Sequence, residues 1–150
     1  MPDALELAYR YLNRRERTEH EVRSHLAGKG VEAQALEDAI AVLRDQGFVD
    51  DARYARLFAE DKRALEGWGS ERIRSTLASR GIDRDLIEDA LTPQAGAAAE
   101  MERALEILRR RFPSPPQERR DRERALAVLL RKGYDSELAL DALAAHARAC

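Results

Sequence analysis

A six-residue phrase is written three times in this chain, about fifty residues apart. It reads Leu26-Ala27-Gly28-Lys29-Gly30-Val31, then Leu77-Ala78-Ser79-Arg80-Gly81-Ile82, then Leu129-Leu130-Arg131-Lys132-Gly133-Tyr134. Each copy has an apolar residue four before its last glycine, a base just before that glycine and an apolar residue just after. Downstream, Leu36-Glu37-Asp38-Ala39-Ile40, Ile87-Glu88-Asp89-Ala90-Leu91 and Ala139-Leu140-Asp141-Ala142-Leu143 follow at matching offsets. An internal repeat of this length marks a small supersecondary unit stacked in an array, which buries a core by repetition. Function in such a chain belongs to an elongated surface rather than to a deep pocket.

The spacing of apolar residues is helical throughout. Leu5, Ala8, Tyr9 and Leu12 share a face, as do Tyr54, Leu57, Phe58, Asp61 and Leu65, and Met101, Leu105, Leu108 and Phe112. No segment alternates long enough to read as a strand. The fold class is all-α: an elongated array of three tandem three-helix units of helix-turn-helix type, with nine helices in all. The units span 1–49, 50–92 and 97–150, and Thr92-Pro93-Gln94-Ala95-Gly96 is the clearest linker. Thr18-Glu19-His20-Glu21 and Ser114-Pro115-Pro116-Gln117 have the form of helix-opening capping boxes. Gly30, Gly47, Gly81 and Gly133 stand where helices end in a left-handed cap. Asp50 or Asp51, and Asp135 or Ser136, can open the helices after two of those caps. The tight apolar joint at Gly47–Asp51 implies that units one and two pack as a pair, and Tyr54 and Phe58 read as core.

Charged residues make up 36% of the chain and nearly cancel, leaving a net charge of −2, which suits long helices with solvated outer faces. On helical wheels Arg10, Arg14 and Arg17 group away from the first apolar stripe. Arg56 and Arg63 lie opposite Tyr54 and Phe58, and Arg120, Arg124 and Arg131 form a stripe with Lys132 at its edge. Arginine's planar fork suits bidentate contact with phosphate or carboxylate, so these stripes fit a nucleic-acid backbone or an acidic protein groove. Each arginine taken alone also reads as the partner of a neighbouring glutamate. Trp68, between Gly67 and Gly69, reads either as a partner-docking side chain or as a plug between units one and two. Reading of the major groove by the helix after each glycine is disfavoured, because those helices lead with Glu32, Glu37, Asp83, Asp85 and Glu137.

No catalytic constellation, metal site or cofactor site is legible. The histidines, His20, His25 and His146, read as surface polar residues without metal-ligand spacing. Gly28-Lys29-Gly30 lacks the remaining parts of a phosphate-binding loop. The single cysteine, Cys150, allows no intrachain disulfide, has no neighbouring base and fits a reducing compartment. Apolar runs such as Leu126–Leu130 are too short to span a bilayer, and Met1-Pro2-Asp3-Ala4 lacks a secretory layout. These features describe a cytoplasmic, monomeric non-enzyme with no membrane partner.

The run Gly47-Phe48-Val49-Asp50-Asp51-Ala52-Arg53-Tyr54-Ala55-Arg56-Leu57-Phe58 resembles the central motif of the RecX regulatory proteins. Ala8-Tyr9-Arg10-Tyr11-Leu12 with Arg14-Arg15, and Gly67-Trp68-Gly69-Ser70-Glu71-Arg72-Ile73, agree with it in order and spacing. The resemblance covers Ala4 to Leu91 well; beyond Ala97 it rests mainly on Arg131-Lys132-Gly133-Tyr134. It implies a row of three-helix units that binds RecA and the RecA–DNA filament in recombination, DNA repair and the SOS response. It further implies suppression of filament growth, strand exchange and ATP hydrolysis, with weak affinity for single- or double-stranded DNA. The phrases that carry it add Arg15 and Arg72 to the binding candidates. The alternative is a DNA-binding helical repeat that regulates without RecA.

Overall fold

The structure, a computed structural model, describes residues 3–94 and 96–149. Cys150, Met1, Pro2 and the linker residue Ala95 lie outside the described residues. The described chain is helical, without strands: α1 (Ala4–Leu12), α2 (Glu19–Gly28), α3 (Ala33–Asp45), α4 (Asp51–Asp61), α5 (Ser70–Ser79), α6 (Arg84–Leu91), α7 (Ala97–Arg111), α8 (Arg119–Lys132) and α9 (Ser136–Arg148). A π-helical turn over Lys62–Glu66 extends α4, and a 3₁₀ turn over Thr92–Gln94 follows α6.

Each helix triplet closes its own core. The second helix of each contributes two residues one turn apart: Val22 and Leu26, Ile73 and Leu77, Ala125 and Leu129. The apolar residue after the phrase glycine comes next in each core: Ile82 and Tyr134 are buried and Val31 is partly so. Thr18 caps α2 through a complete capping box with Glu21, Asp50 caps α4 and Asp135 caps α9. Gly30, Gly47, Gly81 and Gly133 all take positive φ, as does Gly67, which ends the π-helical turn.

Four expectations are corrected. The helix expected to open at Ser114 begins at Arg119 behind the N-cap Glu118, because a residue followed by proline is driven out of the helical region. Pro115 and Pro116 in tandem therefore keep the chain extended. Tyr54 and Phe58 are only half-buried; Ala55 and Ala59 form the inner face of α4, where small side chains let it approach α6 closely. Leu65, placed on the same inner stripe by the wheel, is 80% exposed. His146 is not a surface residue: it is buried, with Nε2 2.7 Å from the Phe112 carbonyl.

The units are joined by a repeated device, and the phrase glycine lies at its centre. The N-terminus of α2 meets the C-terminus of α5, where Thr18 Oγ1 donates to Arg80 O (2.7 Å) and Glu19 N–H to Asp51 Oδ1 (3.0 Å). The N-terminus of α5 meets the C-terminus of α8 in the same way. There Gly69 N–H donates to Lys132 O (2.8 Å), Glu71 N–H to Gly133 O (3.1 Å) and Ser70 N–H to Glu100 Oε1 (3.0 Å). At the second joint amides at the start of α5 satisfy carbonyls at the end of α8, while at the first the Thr18 hydroxyl takes the Arg80 carbonyl; at both, the N-terminus of one second helix meets the C-terminus of the next. The face of each receiving glycine is taken by a side chain the same number of residues earlier, His20 on Gly81 and Arg72 on Gly133. The joint between units one and two is accordingly polar rather than apolar as expected at Gly47–Asp51; Val49 from that stretch sits in the first core instead.

Candidate partner-binding surface

The joint between the second and third units gathers most of the chemistry. At its centre Glu100 is buried and accepts from Ser70 N–H and Ser70 Oγ, with Arg103 at 3.4 Å. Tyr134, also buried, donates its hydroxyl to Gly67 O at 2.8 Å. Burial, and then the Glu100 charge, push the Tyr134 pKa up to about 12, so the phenol keeps the proton it donates.

Arg63 belongs to this buried layer. The wheel places it outward, yet it is 7% exposed and donates to Leu91 O (3.0 Å) and Ser70 Oγ (3.3 Å). The π-helical turn is the reason, since an extra residue per turn swings these side chains away from their positions on a continuous α-helix. Burial and the neighbouring Arg103 lower its pKa. Arg63 holds the joint and presents no charge to a partner.

Outside that layer runs a line of cations set against rings and carbonyls. Tyr54 and Phe58 stack with centroids 6.3 Å apart, and Phe58 meets Trp68 edge-on at 5.9 Å. Arg80 lies 4.8 Å from the Phe58 centroid and donates to the Tyr54 hydroxyl; Lys62 lies 4.9 Å from the Trp68 ring. Arg72 covers Trp68 at 3.9 Å and donates to Arg131 O at 3.1 Å, while Lys132 Nζ donates to Glu66 O at 2.7 Å. Cation–ring contacts hold a guanidinium in place without neutralising it. Trp68 therefore does not plug units one and two. It is half-buried within unit two, as the support that orients Arg72 and Lys62. Beside this line a groove of about 520 Å³ separates the two units, with Leu65, Arg103, Arg111 and Lys132 in its lining.

The arginines divide sharply by partner. Arg23 with Glu37 (2.8 Å), Arg44 with Glu19 (2.7 Å), Arg74 with Glu88 (2.6 Å) and Arg110 with Glu106 (2.9 Å) are neutralised on the surface. Those hydrogen-bonded guanidiniums hold Glu19, Glu37 and Glu88 below the usual carboxylate range. Of the binding candidates, Arg10 pairs with Glu6 (3.0 Å) and Arg15 with Glu21 (3.6 Å). Among the described residues, Arg14, Arg56, Arg72, Arg120, Arg124, Arg131 and Lys132 have no carboxylate within ion-pair distance. The structure brings Arg72, Arg131, Lys132 and Trp68 together, and Arg10 and Arg14 together on unit one. Arg56 stands exposed on α4, and Arg120 and Arg124 stand exposed one turn apart on α8.

Sequence reasoning misses Lys62 and Arg80. Arg80 has a signal, because the base before the phrase glycine recurs as Lys29, Arg80 and Lys132. Lys62 has none, since its place depends on where Trp68 lands. No group of three histidines, cysteines or carboxylates among the described residues is placed to hold a metal, and no described helix is long and apolar enough to cross a membrane.

Comparison with known proteins agrees with the repeat. Family models for the first, second and third three-helix domains of RecX match residues 4–43, 50–91 and 98–143. A regulatory protein RecX of Stenotrophomonas maltophilia is 34% identical over 127 residues, 84% of this chain and 76% of that protein. One of Chromohalobacter salexigens is 36% identical over 141 residues, covering 91% and 88%. The crystal structure of RecX from Lactobacillus salivarius superposes with a TM-score of 0.81 over 98% of this chain and 96% of that one, at 23% identity. A second RecX crystal structure gives a TM-score of 0.72 at 29% identity, covering 90% and 67%.

Proposed function

The chain belongs to the RecX family of regulatory proteins, and we propose on that footing that it binds RecA and the RecA–DNA filament. Its effect is mainly inhibitory, on recombinase activity, strand exchange and ATP hydrolysis in DNA repair and recombination. Units at 1–49, 50–92 and 97–150 then bridge neighbouring protomers, so that several modest contacts combine into avidity. The observation that carries this reading is the line of cations from Arg80 through Lys62 and Arg72 to Lys132, held over rings and carbonyls without carboxylate partners. Cations kept in place but not neutralised are ready for an anionic surface, either the filament's acidic protein groove or its DNA backbone. Arg14, Arg56, Arg120, Arg124 and Arg131 extend the surface, while Arg10 and Arg15 would have to exchange a glutamate for the partner.

The test is RecA's ATP hydrolysis on single-stranded DNA. Substoichiometric protein is expected to lower the rate several-fold, because a bridging ligand blocks more than one protomer. An unchanged or higher rate at saturating protein would refute inhibition.

A further inference from the structure

The basic residue of the phrase has a covered carbonyl in two copies and an open end in the third. Arg80 O and Lys132 O each accept from the preceding unit, whereas a Cβ on Gly30 would meet nothing within 4 Å. At this open end of α2 lies a pocket of about 410 Å³ lined by Leu7, Arg10, Tyr11, Arg14, His25 and Lys29. Its lining contains no carboxylate; of its cations Arg10 is paired with Glu6 at 3.0 Å, and Arg14 and Lys29 are open.

We infer that this pocket is a phosphate-binding subsite, in which Arg14 and Lys29 supply the charge and His25 a third donor beside the Tyr11 ring. Its walls are already fixed. The His25 imidazole stacks on Tyr11 with centroids 4.0 Å apart, and Arg17 covers the same ring at 4.1 Å. Arg14 and Lys29 have no ion pair among the described residues, so neither must leave a carboxylate to bind an anion. The groups facing His25 are Arg10, Tyr11 and Arg14 from α1 and the turn after it, Arg17 from the loop and Lys29 from α2. Glu21, one turn back, is engaged by Arg15 at 3.6 Å and Arg17 at 4.0 Å. Burial first, then Lys29, Arg17 and Arg14, hold the His25 pKa below the ordinary imidazole value. Cations that repel one another in the empty pocket are relieved together by one compact anion. Two open cations, Arg14 and Lys29, beside the His25 imidazole in a pocket this small fit one tetrahedral phosphate better than an extended acidic peptide.

An anion bound there also favours the imidazolium. An opposite charge at contact raises a pKa by ~1–3 units, so binding takes up a proton and tightens as pH falls through the His25 transition. A rise of one unit corresponds to about tenfold tighter binding on the acid side than on the alkaline side. The subsite rests on the proposed reading only for the source of the phosphate, a DNA backbone.

The test tracks the His25 ring resonances by NMR across pH, with His20 and His146 as internal references. The probes are inorganic phosphate, an oligothymidylate and poly-glutamate, and RecA is absent, so failure here leaves the RecA reading standing. Expected are a His25 pKa raised by about one unit with the phosphate-bearing probes, and loss of that response in Arg14→Glu and Lys29→Glu. His25→Phe keeps a ring against Tyr11 and, followed instead through its backbone amide resonances, is expected to bind without the pH dependence. A response to both phosphate probes supports a phosphodiester ligand; a response to inorganic phosphate alone supports the subsite with a small anion as its source. A His25 pKa unmoved by either, or moved as far by poly-glutamate, overturns the inference.

Discussion

Gly133→Ala is expected to destabilise the protein by about 3 kcal/mol or more, whereas Gly30→Ala, at the same place in the repeated phrase, should cost only about 1 kcal/mol. Both glycines have positive φ, +100° and +82°, so both variants carry the backbone penalty of a side chain in that region. They differ in what the new methyl meets. On Gly133 it would lie 2.6 Å from Arg72 N and 2.9 Å from Arg72 Cα, which are backbone atoms that cannot rotate away. On Gly30 it meets nothing within 4 Å. For a domain of this size the two costs correspond to falls in Tm of roughly 10 °C and 3 °C. Since contacts in a repeat array run between neighbouring units, the probe should be local. Trp68, the only tryptophan, has Arg72 stacked on it at 3.9 Å, so its fluorescence reports on this joint directly. Equal losses in the two variants would mean that the phrase glycine serves the helix end alone and that the joint is not a structural element.

That contrast marks where the sequence is legible. The glycine phrase announces helix ends because a left-handed cap is a local event, set by residues within one turn, and the capping box at Thr18 is legible for the same reason. The joint is not local. Thr18 reaches Arg80 O, and Ser70 reaches Glu100, across distances in sequence that no helical period encodes. Arg63 misleads for a third reason: a wheel assumes a constant rotation per residue, and the π-helical turn at Lys62–Glu66 breaks it just where Arg63 stands. The outward arginines are legible as a class, but their separation into neutralised and open cations needs side-chain positions. Arg74 and Arg72 look alike in sequence; one lies on Glu88 and the other on an indole ring.

Reversing three of the open cations, with Lys62→Glu, Arg72→Glu and Arg131→Glu combined, is expected to weaken filament binding by about 100-fold or more. Loss of a charge-assisted contact costs ~1.5–3 kcal/mol, and the new carboxylates add repulsion against an anionic surface. A triple change of neutralised arginines, Arg23→Gln, Arg74→Gln and Arg110→Gln, should alter binding less than about threefold, because their charge is already met by Glu37, Glu88 and Glu106. Arg72 also packs against Gly133, so the milder set Lys62→Gln, Arg72→Gln and Arg131→Gln guards against a folding defect; it should lose less than the reversed set while far-UV circular dichroism and Tm stay native. Equal losses from the open and the neutralised sets would sever the link between the ring-held cations and the partner.

The most direct measurement is co-sedimentation of the wild-type protein with RecA filaments assembled on single-stranded DNA, alongside the same DNA without RecA. The expected result is saturable pelleting with the filament, at fewer than one molecule per RecA protomer, and little or none with DNA alone at physiological salt. Pelleting that is equal on bare DNA and on the filament would contradict the account and favour a DNA-binding helical repeat that acts without RecA. Pelleting with neither would contradict it as well, and would leave the exposed cation line to a different protein partner.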